Sequence, residues 1–170
     1  MISVRAATIA DAEAIAAIYT FHVLNGTATF EIDPPSVADW QLKIETILAK
    51  GWPIVVAVDG ALVVGYAYAT QFRDRAAYRY SCENSIYIAA DKRGQGVGKL
   101  LLTALVQRAE AFGFRQMLAV VGGAEPSSIA VHKSLGFRET GRMNAVGRKF
   151  EKWLDTVYMQ LALGEGDGPT

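Results

Sequence analysis

Arg93-Gly94-Gln95-Gly96-Val97-Gly98-Lys99 stands between an apolar run, Cys82 to Ala89, that reads as a strand, and an amphipathic run, Val97 to Phe112, that reads as a helix. Three glycines remove side chains from the turn, so successive backbone N–H groups at the helix start can converge on an anion. The spacing decides which anion. A nucleotide P-loop needs G-x-x-x-x-G-K-[ST]; counted back from Gly98-Lys99, Arg93 holds the first glycine position and Leu100 the place of the metal-binding hydroxyl. The dinucleotide fingerprint G-x-G-x-x-G begins at Gly94 and Gly96 but meets Lys99 where its third glycine belongs. Neither nucleotide motif fits.

Outward from the loop, the helical period predicts Val97, Leu100, Leu101, Ala104 and Leu105 on the buried side of the helix. Downstream, Gln116 to Val121 reads as an apolar strand, Ser127 to Leu135 as a helix closed by Gly136, and Phe137 to Leu163 as two more strands. Upstream, Ile54 to Val58, the Asp59-Gly60 turn, and Ala61 to Thr70 form the strongest hairpin signal, because Asp-Gly tolerates positive φ. The polar segment Gln71 to Tyr80 links this hairpin to the strand before the loop. Near the start, Ile2 to Ala6 predicts a strand, and Thr8 with Asp11 has capping-box spacing. The helix that follows places Ala12, Ile15, Ala16, Tyr19 and Val23 on one face and ends at Asn25-Gly26; Ser36 caps a second helix reaching about Lys50. The two prolines of Thr27 to Pro35 make that stretch a loop. The order β-α-α-β-β-β-α-β-α-β-β predicts one α+β domain with a mixed sheet over residues 1–163, followed by a tail, 164–170 (GEGDGPT), of disordered composition.

Composition narrows the function. At 170 residues the chain has the length of one self-sufficient domain. Its 17 Lys and Arg balance 17 Asp and Glu, which argues against a phosphate-driven nucleic-acid binder. One Cys and two His make a zinc site improbable, and no metal is expected. The first residues lack the apolar segment of a secretory signal, and no run of 18 apolar residues predicts a membrane span. These features point to a cytoplasmic protein.

What does fit the loop is the pattern [QR]-x-x-G-x-[GA], as Arg93, Gly96 and Gly98. This resembles the pyrophosphate loop of the GNAT acetyltransferase superfamily. The likeness extends over nearly the whole chain, through Thr27 to Phe30 (TATF), Gly65 to Ala69 (GYAYA), Arg73 to Tyr78 (RDRAAY), Glu83 to Ile88 (ENSIYI), Ser128 to Phe137 (SIAVHKSLGF), and Gly147-Arg148-Lys149 with Trp153 and Asp155. In these segments the chain resembles the phosphinothricin and methionine sulfoximine N-acetyltransferases. The resemblance implies the GNAT fold and transfer of acetyl from acetyl-CoA to the α-amine of a small amino acid, by a homodimer. It implies Glu83 as general base, Phe30, Arg73, Arg75 and Tyr78 around the amino acid, and Ile86, Tyr87, Ile88 and the run Arg93, Gly94, Gln95, Gly96, Val97, Gly98 and Lys99 around the cofactor. Two positions depart from the wider superfamily, which often has Asn where Glu125 stands, as a cofactor contact, and Tyr where His132 stands, as acid toward the thiolate.

The chemistry explains why such residues are needed. An α-amine with a pKa near ~8 is mostly protonated at neutral pH and must lose a proton before it attacks a thioester. Glu83, the only carboxylate between Asp74 and Asp91, could remove it. A splayed strand at Ile86 to Ile88 would free an N–H for the oxyanion. His132 or Tyr87 could return a proton to the thiolate. Arg73 and Arg75, two residues apart in an extended segment, could fork a carboxylate or belong to a solvated basic loop. His22 is expected to be structural, and Cys82, on the strand face opposite Glu83, to be a buried thiol rather than an acetyl carrier. Another amine acceptor, such as a polyamine or a peptide N-terminus, and a non-catalytic acyl-CoA-binding module are the competing functions; the arginine pair disfavours a polyamine.

Overall fold

In the computed structural model, which describes residues 1–169, the chain runs β1 (Ile2–Ala6), α1 (Ala12–Asn25), α2 (Val37–Ala49), β2 (Ile54–Asp59), β3 (Leu62–Gln71), β4 (Ser81–Ile88), α3 (Val97–Phe112), β5 (Gln116–Gly122), α4 (Pro126–Ser134), β6 (Arg138–Lys149) and β7 (Lys152–Ala162). This is the order that the sequence predicts. The strands form one sheet, β1-β2-β3-β4-β5-β7-β6. Its neighbours are antiparallel except for β4 and β5, whose parallel connection passes through the glycine turn and α3. The sheet is therefore mixed, and helices cover both faces.

Two apolar layers hold it. On one face Ala12, Ile15, Ala16, Tyr19 and Val23 of α1, with Trp40, Ile44 and Ile47 of α2, pack on Ile54, Val56, Tyr66 and Tyr68. On the other, Leu101, Leu102, Leu105 and Ala109 of α3 meet Val55, Ala57, Ala67, Cys82 and Met117. β2 feeds both layers, so it reads as a continuous apolar run rather than an alternating one. β6 is an edge strand exposed over most of its length. None of the helices is long and apolar enough to cross a membrane among the described residues.

Two sequence expectations need correction. Leu100 is 42% exposed, and Leu102 is buried in its place. The buried stripe of α3 is centred on Gly98, where an added Cβ would meet Ile88 and Val131; a glycine carries no weight in an apolar period, so the period misplaced the face. The tail after Leu163 folds into turns: Arg115 donates from Nε to the Gly166 carbonyl at 2.8 Å and from Nη2 to that of Gly168 at 3.1 Å. Composition predicts disorder there because it has no access to a cation from β5's start; Thr170 lies outside the described residues.

Candidate active site

The centre of the sheet opens into a fork. Parallel pairing of β4 with β5 runs from Ser81↔Gln116 to Asn84↔Ala119 and stops, although both strands continue. β4 stays on β3 as far as Gly65↔Ile88, and β5 stays on β7 as far as Gly122↔Thr156, so each arm of the fork is held by its outer neighbour. Ala89 N–H is bonded to Val64 on the β3 side; by the alternation of an antiparallel ladder, the amides of Ile86 and Ile88 face the gap. The gap is part of a cleft of about 560 Å³ that reaches from Phe30 and Glu83 to the glycine turn.

Asn84 staples the crotch of the fork: its Nδ2 donates to the Leu118 carbonyl at 3.1 Å, and its Oδ1 lies 3.0 Å from His132 Nε2. The other nitrogen of His132 lies 2.7 Å from the Ser128 carbonyl oxygen. His132 is 2% exposed, and burial lowers its pKa. His22, read as structural, does line the cleft; its Nε2–H donates to the Ile88 carbonyl at 2.8 Å. Burial also lowers the pKa of His22, which keeps the ring neutral.

Glu83 lies on the α1–α2 side of β4, opposite Thr70 on β3. Burial raises its pKa, against the opposing charges of Arg73 and Lys43. Arg73 Nη1 stands 3.6 Å from Glu83 Oε2, and its guanidinium lies 3.9 Å from the centre of the Phe72 ring. Tyr87, four residues on and on the same face, also lines the cleft; burial holds its phenol well above the usual value, so it stays protonated. Cys82 points into the opposite layer, where burial pushes its thiol up to about 12, too high for a thiolate nucleophile.

At the other end of the cleft, Gly94 and Gly96 adopt φ of +73° and +82°, and Gly96 caps α3. The first amides of a helix have no intrahelical acceptor, so those after Gly96 point outward unpaired. Arg93, Gly94, Gly96, Val97, Gly98 and Lys99 all line the cleft. Gln95 does not; it braces the turn by donating to the Asp91 carbonyl at 2.9 Å. Together with the close approach that Gly98 permits, this cradle fits a pyrophosphate. Glu125 lines the cleft at the start of α4 and accepts a hydrogen bond from Thr27 Oγ1 at 3.3 Å.

On the acceptor side, Phe30 lines the cleft, whereas Arg73, Arg75 and Tyr78 stand on the exposed rim beyond it. Tyr78 packs edge-on against Phe72 with ring centres 5.6 Å apart. The two arginines do not form a fork: Arg73 turns to Glu83, and the Arg75 side chain has no hydrogen bond or ion pair among the described residues. Thr27 to Thr29, Asn84, Ser85 and Val120 to Gly122 line the cleft without having been read as site residues. A polar Asn84 inside an apolar strand was the available signal for one of them. The others are ordinary residues made important by where the strands part. No group of three metal-ligating side chains occurs among the described residues.

A mixed sheet split between two parallel strands, with a glycine turn and helix start at the mouth of the split, defines the class of acyl-CoA-dependent acyltransferases. Residues 4–158 match the acetyltransferase (GNAT) domain, and the chain belongs to that family. It is 44% identical over 158 residues to a phosphinothricin N-acetyltransferase of Alcaligenes faecalis, covering 92% of this chain and 80% of that one. It is 41% identical over 162 residues to an L-methionine sulfoximine/L-methionine sulfone acetyltransferase of Pseudomonas aeruginosa, covering 95% and 94%. A phosphinothricin acetyltransferase from Sinorhizobium meliloti, crystallised with acetyl-CoA, superposes with a TM-score of 0.97 at 52% identity, covering 99% of this chain and 93% of that one.

Proposed function

We propose that this protein transfers acetyl from acetyl-CoA to the α-amine of a small amino acid of the methionine sulfoximine, methionine sulfone or phosphinothricin type. The observation that carries the reading is a half-buried carboxylate, Glu83, set in the same cleft as free strand amides and the glycine cradle. Acetyl-CoA supplies the activated acyl group; the residues of the chain bind, orient and move the proton. The amides after Gly96, with Arg93 and Lys99 beside them, hold the pyrophosphate. The Ile86 to Ile88 arm aligns the pantetheine, and its gap-facing amides donate to the oxyanion that develops on the thioester carbonyl. Glu83 takes the ammonium proton, directly or through a water, so that the neutral amine attacks. As the tetrahedral intermediate collapses and the C–S bond breaks, the nitrogen loses its second proton, which Tyr87, protonated and facing the cleft, relays to the departing thiolate so that the phenol ends protonated; His132 positions Asn84 and through it the fork.

Phe30 and the 72–78 rim receive the amino acid, with Arg73 supplying positive charge for its carboxylate or phosphinate. Glu125 acts on the cofactor side by holding Thr27 over the mouth of the gap. The exposed apolar residues of the β6–β7 hairpin, Met143, Val146 and Trp153, support a homodimer formed through that hairpin. A cytoplasmic location is part of the same reading.

Thiol release from acetyl-CoA with methionine sulfone, methionine sulfoximine, phosphinothricin, spermidine and a short peptide tests this. Turnover is expected with the first three. Release with spermidine or the peptide alone would overturn the acceptor assignment, and acetyl-CoA binding without release for any amine would leave a binding module.

A further inference from the structure

The Gly147-Arg148-Lys149 segment near the end of β6 takes no part in the mechanism above, and none of its residues lines the cleft. Yet it meets the cleft's acceptor wall from behind. Lys149 is buried, and its Nζ donates to the Thr29 carbonyl at 3.0 Å. No carboxylate lies within 4 Å of it among the described residues. A buried ammonium whose contacts are a backbone carbonyl and the Phe150 ring, 5.2 Å away, is costly to keep; burial lowers its pKa, and the charge of Glu31 opposes that shift. Thr29 is itself a hub: its hydroxyl lies 2.7 Å from the Tyr19 hydroxyl and accepts from the Glu31 N–H at 3.2 Å.

The neighbouring glycine makes the second contact. A Cβ on Gly147 would run into the edge of the Phe30 ring, well inside any real contact distance. Gly122 and Gly123 act alike from β5, where added side chains would meet the Ala28 and Thr27 carbonyl oxygens at 2.8 Å. The loop from Thr27 to Phe30 thus lies on a bed of glycines from two strands and is tied down by one lysine. The hairpin that presents Gly147 and Lys149 turns at Phe150 and Glu151, both at positive φ (+50° and +60°) without a glycine between them, so it holds a strained turn to reach this position.

We propose that Gly147 and Lys149 are positioning residues that fix Phe30 from behind, so that the β6–β7 hairpin sets the shape of the pocket for the acceptor's side chain. This rests on the acetyl-transfer reading for its kinetic consequence, but its structural content stands without it. Gly147→Ala displaces the ring and raises KM for methionine sulfone by about tenfold, with KM for acetyl-CoA changed less than about twofold. In a Phe30→Ala background the same substitution adds less than about twofold, because its target is gone. Full additivity of the two changes would overturn the clamp.

Lys149→Met tests the other contact without relying on turnover. Amide hydrogen exchange of Ala28 to Glu31 is expected to speed by about tenfold while that of β3 stays as in the parent protein. Equal acceleration across β3 would make Lys149 a general stability residue and overturn its positioning role. If the parent protein acetylates no amine, the acetyl-transfer reading fails, and the exchange pattern alone still decides for or against the clamp.

Discussion

The two ends of the cleft are built on different principles. The end proposed for the cofactor relies mainly on backbone, the amides after Gly96 and the gap-facing amides of Ile86 and Ile88, with Arg93 and Lys99 beside them, carried by one continuous strand-turn-helix unit. The acceptor end is made of side chains from separate segments, with Phe30 after α1, Arg73 after β3, Glu83 on β4, and Gly147 and Lys149 on β6. Backbone recognition suits a partner that stays the same in every turnover. Side chains on loops can change from one acceptor to the next while the fold stays fixed.

The largest effect that sharpens this contrast is at Glu83, where both ends meet. Glu83→Gln is expected to lower kcat by about 10²- to 10⁴-fold at neutral pH. Because burial raises its pKa, Glu83 binds its proton at a higher pH than an ordinary carboxylate, and the parent enzyme's kcat/KM falls as pH drops through that raised value. The variant should lose this acidic limb. An unchanged limb measured across pH 4 to about 8 would remove Glu83 as base.

Next comes Gly96→Val. Its φ of +82° suits glycine alone, so the change twists the amides at the start of α3 and raises KM for acetyl-CoA by about tenfold, equivalent to ~1.4 kcal/mol of binding. The acceptor's KM should stay within about twofold. If both constants rise together, the ends are not independent.

Arg73→Ala reverses the pattern, raising KM for an anionic acceptor by about threefold to tenfold while sparing acetyl-CoA. Arg73 lowers the pKa of Glu83, so its loss also moves the acidic limb of the pH profile to higher pH. Arg75→Ala, with no partner to lose, changes either constant by less than about twofold. A larger effect of Arg75 would restore the arginine fork. A similarly small change is expected for His132→Gln, below about threefold in kcat; a hundredfold loss would transfer the acid role from Tyr87 to His132.

Legibility in the sequence follows the same division. The strand, glycine turn and α3 lie within about thirty residues, and their periods and glycine spacing are local properties that a sequence displays directly. The Thr8–Asp11 box, the Ser36 cap and the β2–β3 hairpin were readable for the same reason, although the hairpin turns at Gly60-Ala61, between the paired Asp59 and Leu62, one place on from Asp59-Gly60. Leu100 was misread because Gly98, an apolar position only by virtue of what packs on it, centres the buried face of α3. The folded tail was missed because its partner, Arg115, lies some fifty residues away.

By itself, then, the sequence determined the order of elements, the glycine turn and the candidate base, since each depends on residue types at short spacing. Only the tertiary structure decided that β4 and β5 part after Asn84, that Arg73 faces Glu83 rather than Arg75, that the two nitrogens of His132 lie 2.7 and 3.0 Å from oxygens of Ser128 and Asn84, and that Lys149 reaches Thr29 across 120 residues. Those are contacts between distant segments. Their geometry is set by how sheet, helices and hairpin pack together, and no local pattern of side chains encodes it.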